Sequence, residues 1–196
     1  LFAAGLLPAI VQKLRTEAPG IEIEVVASDR LEDLTRRDAD IAIRHVRPDQ
    51  PDLIARQLTN FTASFYASSA YIAQNGRPET ADDVAGHQFI GPRDTAQMLA
   101  ILAGMGIIIA PDQFKTTSDS GFVMLEMMRA GLGITVLPDR VWPDTGGVER
   151  VLTQVDPISF PVWLATHREL KTSRRIRTVF DALAIGLSCV RTGPMA

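Results

Sequence analysis

What most constrains this chain is a helical apolar stripe that gives way to a strand-like alternation, a change of period that then repeats. Leu7, Ile10, Val11 and Leu14 recur at i, i+3, i+4 and i+7, one face of a 3.6-residue period. Pro8 stands near the expected helix start, and Pro19-Gly20 closes the segment. Ile21, Ile23 and Val25 then alternate with Glu22 and Glu24, which predicts a strand with one wet face. Asp29 with Glu32 makes a capping-box pair that opens a short helix to Arg37. The run Asp40-Ile-Ala-Ile-Arg44 predicts a strand buried on both faces. Helix, strand, helix, strand in this order implies right-handed crossovers and a parallel α/β sheet.

The rest of the chain keeps the same grammar. After a Pro-rich loop over 46–52, Leu53 to Leu58 and Phe61 to Ala67 read as two extended segments joined at Thr59-Asn60. A short helix containing Tyr71 and Ile72 ends at Asn75-Gly76, and Thr80 caps a turn of helix over 81–85. Gln88 to Ile90 is a strand, and Asp94 or Thr95 starts a helix carrying Met98, Leu99, Ile101 and Leu102. Phe114 to Thr117 is a strand, followed by a helix through Val123, Met124, Met127 and Met128 that stops at Gly131. Ile134 to Leu137, Val148 to Leu152 and Val162 to Thr166 are the last strands. Ser173 then caps a helix with Ile176, Val179, Phe180 and Leu183 on one face, and 190–196 form a loose tail. The echo between Ala103-Gly-Met-Gly-Ile107 and Ala130-Gly-Leu-Gly-Ile134 reads as two helix ends, each followed by an apolar extended segment, since two short matches make no solenoid.

Composition removes several function classes. With 46% hydrophobic and 22% charged residues the chain is an ordinary globular sequence, neither disordered nor a disulfide scaffold. A formal net charge of −3 makes these residues a poor nucleic-acid surface by themselves. The single cysteine, Cys189, cannot form an internal disulfide, favours a reducing compartment, and reads as small apolar filler. Ile101 to Pro111 is the longest nearly apolar stretch and is too short to span a bilayer. With no initiator Met and no leader at its start, the sequence reads as a fragment or a processed protein.

Catalytic patterns are missing. His45, His87 and His167 are far apart and none has metal-ligand spacing, so no metal and no cofactor is expected. There is neither a nucleophile elbow nor a phosphate loop, and Gly131-x-Gly133 precedes a strand where a dinucleotide turn would follow one. The sequence offers instead polar residues at strand ends, where open α/β sheets bind ligands. Ser28 follows the first predicted strand, Arg44 ends the second, and Ser118, Asp119 and Ser120 occupy the same strand-to-helix position in the middle third. A helix N-terminus holds an anion and an arginine forks onto a carboxylate. Ordinary capping accounts equally for the serines, and an internal ion pair with Asp40 or Asp29 for Arg44. His45 reads as a loop-edge residue, and Arg168, Lys171, Arg174, Arg175 and Arg177 as the solvated face of the last helix. Met98, Met124, Met127 and Met128 read as core or a subunit contact.

Leu6-Leu-Pro-Ala-Ile-Val11, Pro19-Gly-Ile-Glu-Ile23, Asp40-Ile-Ala-Ile-Arg44, Tyr71-Ile-Ala-Gln-Asn-Gly-Arg-Pro78 with Asp83-Val-Ala-Gly-His87, and Ala130-Gly-Leu-Gly-Ile-Thr-Val-Leu-Pro138 follow one another in a telling order. Together they resemble the effector-binding domain of LysR-type transcriptional regulators, over nearly the whole chain. The resemblance implies an α/β fold of two Rossmann-like lobes joined by two crossover strands, like type 2 periplasmic binding proteins. The first lobe would be 1–67 with 165–196, and the second 68–164. A small, anionic effector would lie in the interlobe cleft against Ser28, Arg44, Ser118, Asp119, Ser120 and Gly121. A homodimer would form through Leu7, Ile10, Val11 and Leu14 of one subunit against Val123 and Met127 of the other, the helix faces being apolar because they are exposed until paired. The family is cytoplasmic and binds DNA through a winged helix-turn-helix that is missing from these residues. The family's first strand is missing too, since Leu1 leads directly into a helix. The resemblance implies no enzyme, no catalytic residue and no membrane contact. A solute-binding protein of a transporter, or an enzyme on the same fold, remains the alternative, separable by upstream sequence or by turnover.

Overall fold

A computed structural model of the chain describes residues 1–27, 39–142 and 146–190. The expected helix over 29–37, with Ser28 before it, and nearly all of the expected tail lie outside the described residues. The chain divides into two compact units: residues 1–62, 140–142 and 159–193 form one, and 63–139, 143–158 and 194–196 the other.

In the first unit, α1 (Phe2–Glu17) and α5 (Arg174–Ser188) pack on a small sheet. Its strands are β1 (Ile41–Arg44), β7 (Ile158–His167) and the first part of β2 (Leu53–Ser68), in the order β1-β7-β2. Ile10 and Leu14 of α1 meet Leu164 and the α5 residues Leu183, Ala184 and Leu187, so the stripe read from the sequence is the helix's inward face. Gly186 permits this approach, because a Cβ there would lie 2.6 Å from Ile10 Cγ1. The opposite sheet face carries small residues: Leu53 and Ala165 are buried with Ala39, Ala42 and Ala55 around them.

The second unit has the strand order β6-β2-β5-β3-β4, using the rest of β2 with β3 (Phe89–Gly91), β4 (Phe114–Thr117), β5 (Ile134–Pro138) and β6 (Val148–Val151). β3 runs parallel to β4 and to β5, while β2 is antiparallel to β5 and β6. Helices α2 (Ser69–Asn75), α3 (Ala96–Gly104) and α4 (Gly121–Arg129) connect these strands. Phe65, Phe89, Leu102, Ile107 and Ile134 lie at the centre of its core. Ser68 caps α2 by accepting from Tyr71 N–H at 3.2 Å, and Thr80 with Asp83 forms a capping box on the 3₁₀ turn Ala81–Val84. Gly131 ends the α4 region at φ +81°, a conformation that favours glycine.

Several expectations are corrected. Residues 21–27 form no strand although Ile21 and Ile23 are half-buried and the glutamates exposed, because no described strand runs beside them to complete a ladder. β1 is half-buried and antiparallel to β7, and among the described strands it lies at the sheet edge with no parallel neighbour. β2 is one 16-residue strand, with no turn at Thr59-Asn60. α1 begins six residues before Pro8, which sits inside the helix on its exposed side. Residues 107–110 form no strand, unlike Ile134–Pro138 after Gly133. Cys189 is exposed just beyond α5, so it is not core filler. Ile10 (9% exposed) and Leu14 (2%) belong to their own unit's core, which removes them from a subunit surface and leaves Leu7 and Val11 only partly exposed.

Candidate functional site

Parallel pairing of β3 with β4 brings the carboxyl ends of both strands to the same edge. Ser118, Asp119, Ser120 and Gly121 leave that edge as the turn into α4, so the structure brings these four together. Ser118 N–H donates to Gly91 C=O at 2.9 Å, which ties the turn to the end of β3. Ser118 Oγ accepts from Ser120 N–H at 3.1 Å, so the cap lies within the turn. Ser120 holds the N-cap position of α4 but makes no side-chain capping bond.

Asp119 reaches across to the segment after β3. Its carboxylate accepts from the Arg93 backbone N–H at 3.1 Å and from the Arg93 guanidinium at 2.9 Å. Both side chains are well exposed, at 81% for Arg93 and 50% for Asp119. Sequence reasoning missed Arg93, because nothing local to Pro92-Arg93 announces that the parallel register places it beside Asp119. Only a correct β3–β4 alignment could have found it.

Arg44 belongs to the first unit, at the end of β1 and opposite Trp163 of β7. Directly paired residues share a sheet face, so Arg44, Trp163, Ala42 and Ala165 look the same way. His45, next in sequence, is exposed and lies against the rings of Phe2 and Phe160, with centroids 4.7 and 5.1 Å away. Ser28 lies outside the described residues.

Two buried polar groups also escaped the sequence. Tyr66 and Ser64 of β2 both donate to the buried carboxylate of Asp139, in the turn just after β5, at 2.6 and 3.3 Å. Tyr71 Oη accepts from Gln88 N–H at 2.9 Å and lies 3.2 Å from His87 Nδ1. The hydroxyl and the imidazole share one hydrogen bond, whose direction is set by the His87 tautomer. Burial holds the His87 pKa below its ordinary value, partly opposed by the Asp83 charge. Burial likewise raises Tyr71, partly opposed by its bond from Gln88 N–H. Both shifts favour the neutral form of each group.

Among the described residues no group of three His, Cys, Asp or Glu could hold a metal ion, and no helix is long and apolar enough to cross a membrane. The basic residues around the start of α5 are exposed.

Comparison with known proteins adds the following. The family model described as "LysR substrate binding domain" matches residues 1–187. An uncharacterized HTH-type transcriptional regulator of Haemophilus influenzae is 32% identical over 142 residues, covering 70% of this chain and 47% of that protein. The HTH-type transcriptional regulator CrgA of Neisseria meningitidis serogroup C is 31% identical over 138 residues, covering 68% and 45%. The chain thus spans about half the length of the curated relatives it matches. The solved regulatory domain of CrgA from Neisseria meningitidis superposes with a TM-score of 0.83 at 24% identity, covering 95% of this chain and 94% of that one. The effector domain of AmpR from Pseudomonas aeruginosa gives 0.74 at 15% identity, covering 95% and 90%.

Proposed function

From the premise that the chain belongs to the LysR substrate binding domain family, we propose that it senses a small organic anion for a transcriptional regulator. The reading assigns anion recognition to the Ser118–Gly121 turn at the start of α4 and to Arg44 at the end of β1, with Ser28 as a further contributor. The effector then lies in the cleft that the family resemblance implies. The single observation that carries the reading is the family match from Leu1 to residue 187, with the Ser118–Gly121 turn where parallel strands present a helix N-terminus. The relatives are named as regulators and none as an enzyme, which favours a sensor over a catalyst. In such a regulator DNA contact falls to the helix-turn-helix part for which the relatives are named, and the protein works in the cytoplasm as a homodimer. Effector shifts that assembly only as far as it prefers one of its states.

The test is a thermal-shift and calorimetry panel of aliphatic and aromatic monocarboxylates, with the matched amides as uncharged controls. A ligand at one hundred times its Kd adds about 2.7 kcal/mol of stability, a rise of about 5–10 °C for a chain of this size. Arg44→Ala and Ser118→Ala with Ser120→Ala should each weaken a binding carboxylate about tenfold, the size of one lost charge-assisted bond. Equal binding of the amides, or undiminished affinity in all these variants, would remove the anion reading.

A further inference from the structure

Away from that turn, the first unit has a hollow of about 390 Å³ lined by Arg47, Pro48, Asp49, Gln50, Pro51, Leu53 and Ala55. Its size falls in the range that holds small ligands. It exists because the sheet face beneath it is built of small residues, Ala42, Ala55 and Ala165 around Leu53, with the Pro-rich loop standing over the start of β2.

Three polar groups at this hollow lack a partner of the opposite kind. The Arg47 guanidinium lies over the Trp163 ring, 5.7 Å from its centroid, and forms no ion pair among the described residues. Asp49, two residues on, forms none either. Gln50 Oε1 is shielded from solvent and has no hydrogen-bond donor. A shielded acceptor without a donor costs free energy that a ligand donor would recover.

We propose that this hollow is a binding site for a small zwitterionic α-amino acid. One cation meets the carboxylate, and two acceptors, the Asp49 carboxylate and Gln50 Oε1, meet the ammonium group, which has only donors. Pro48, Pro51, Leu53 and Ala55 supply an apolar wall for an aliphatic side chain. A simple carboxylate would leave Gln50 Oε1 unsatisfied and bring a second negative charge towards Asp49. A simple amine would leave Arg47 unused. Only the zwitterion satisfies all three groups.

The test is isothermal titration of the chain with L-valine, L-leucine and L-methionine, beside 4-methylpentanoate and isoamylamine as single-charge analogues of leucine. At least one amino acid should bind with a Kd in the millimolar range or below, and each analogue about tenfold or more weaker. Arg47→Gln and Asp49→Asn, both at exposed positions, should each weaken the amino acid about tenfold with the melting temperature unchanged, and Trp163 fluorescence should respond on binding. No heat from any of the three amino acids at 10 mM (roughly ten times the weakest expected Kd) overturns the proposal. So does equal binding of the analogues, or affinity untouched by both substitutions. A carboxylate lost on Arg44→Ala but kept on Asp49→Asn belongs to the effector reading, which stands or falls separately.

Discussion

Removing one oxygen atom from the second unit tests whether its buried polar pair is structural. In Tyr71→Phe the Gln88 N–H loses its acceptor and His87 Nδ1 loses its hydrogen-bond partner, while the apolar ring stays in place. Tyr71 is 3% exposed and His87 8%, so water reaches neither freely. Orphaning a buried polar group costs about 1–3 kcal/mol. Gln88 is only part-buried, so the pair of losses amounts to about 2–4 kcal/mol. For a chain of this length that lowers the melting temperature by about 5–15 °C. Both tryptophans, Trp142 and Trp163, lie in the first unit, so tryptophan fluorescence would miss an opening of the second. Urea unfolding followed by far-ultraviolet circular dichroism sees both units. A double-mutant cycle with His87→Leu should show a coupling of about 0.5–2 kcal/mol, because either substitution already removes the shared bond. A Tyr71→Phe loss below about 0.5 kcal/mol, within the range of an inconsequential substitution, would refute the reasoning, as would strict additivity in the cycle.

Further outcomes follow from the same geometry. Burial lowers the folded-state pKa of His87, so below about pH 6.5 the unfolded chain binds the proton that the folded chain refuses. That stability is complete above pH 6.5 and is lost as pH falls through the folded pKa; the urea midpoint should drop between pH 7.5 and 5.5, and by less in His87→Gln. Gly133→Ala places a Cβ 2.6 Å from the Gln88 carbonyl oxygen at φ +150°, and should cost about 2–4 kcal/mol by the same unfolding assay. Leu14→Ala empties the core of the first unit and should cost about 2–5 kcal/mol without changing oligomeric state. Val123→Asp, on the exposed face of α4, should leave the melting temperature within about 2 °C and shift any dimer seen by light scattering towards monomer. A dimer unchanged by Val123→Asp would remove that helix from the interface.

The sequence made the local punctuation legible, and the pairing much less so. β4 and α4, with the strand after them, follow from signals that act within a few residues: a serine-rich turn, an apolar helical face, and a glycine that alone is comfortable at the φ of +81° found at Gly131. Thr59-Asn60 looked like a turn because both residues are polar. The strand runs on because no residue there has positive φ, and Gln57 Nε2 bonds Asn60 Oδ1 at 3.2 Å along one exposed stretch. The alternation at 21–26 reads equally as a strand, yet a strand needs a neighbour, and periodicity within one segment says nothing of that. The helix stripe at Leu7 to Leu14 shows the same limit, since an apolar face can meet its own core or another subunit. Ile10 and Leu14 meet α5. At the candidate site the turn was readable, whereas Arg93, His87 and Asp139 depend on partners 26, 16 and 73 residues away.

Arg93 changes how the turn's charge should be understood. The family resemblance and the helix N-terminus both favour an anion, yet the turn already contains one. The Asp119 carboxylate takes the Arg93 guanidinium and its backbone N–H in an exposed intramolecular pair. An exposed ion pair of this kind contributes only about 0–1 kcal/mol, so its effect is on selectivity more than on stability. Two like charges 4 Å apart at a protein surface repel by up to about 4 kcal/mol, and an effector with a second negative group near Asp119 meets that repulsion. If the turn holds the effector as proposed, a carboxylate at the start of α4 would belong to a molecule that is uncharged on its Asp119 side. On the proposed reading, a monocarboxylate should bind more tightly than the matching dicarboxylate, and equal calorimetric affinity for the two would remove Asp119 from the site.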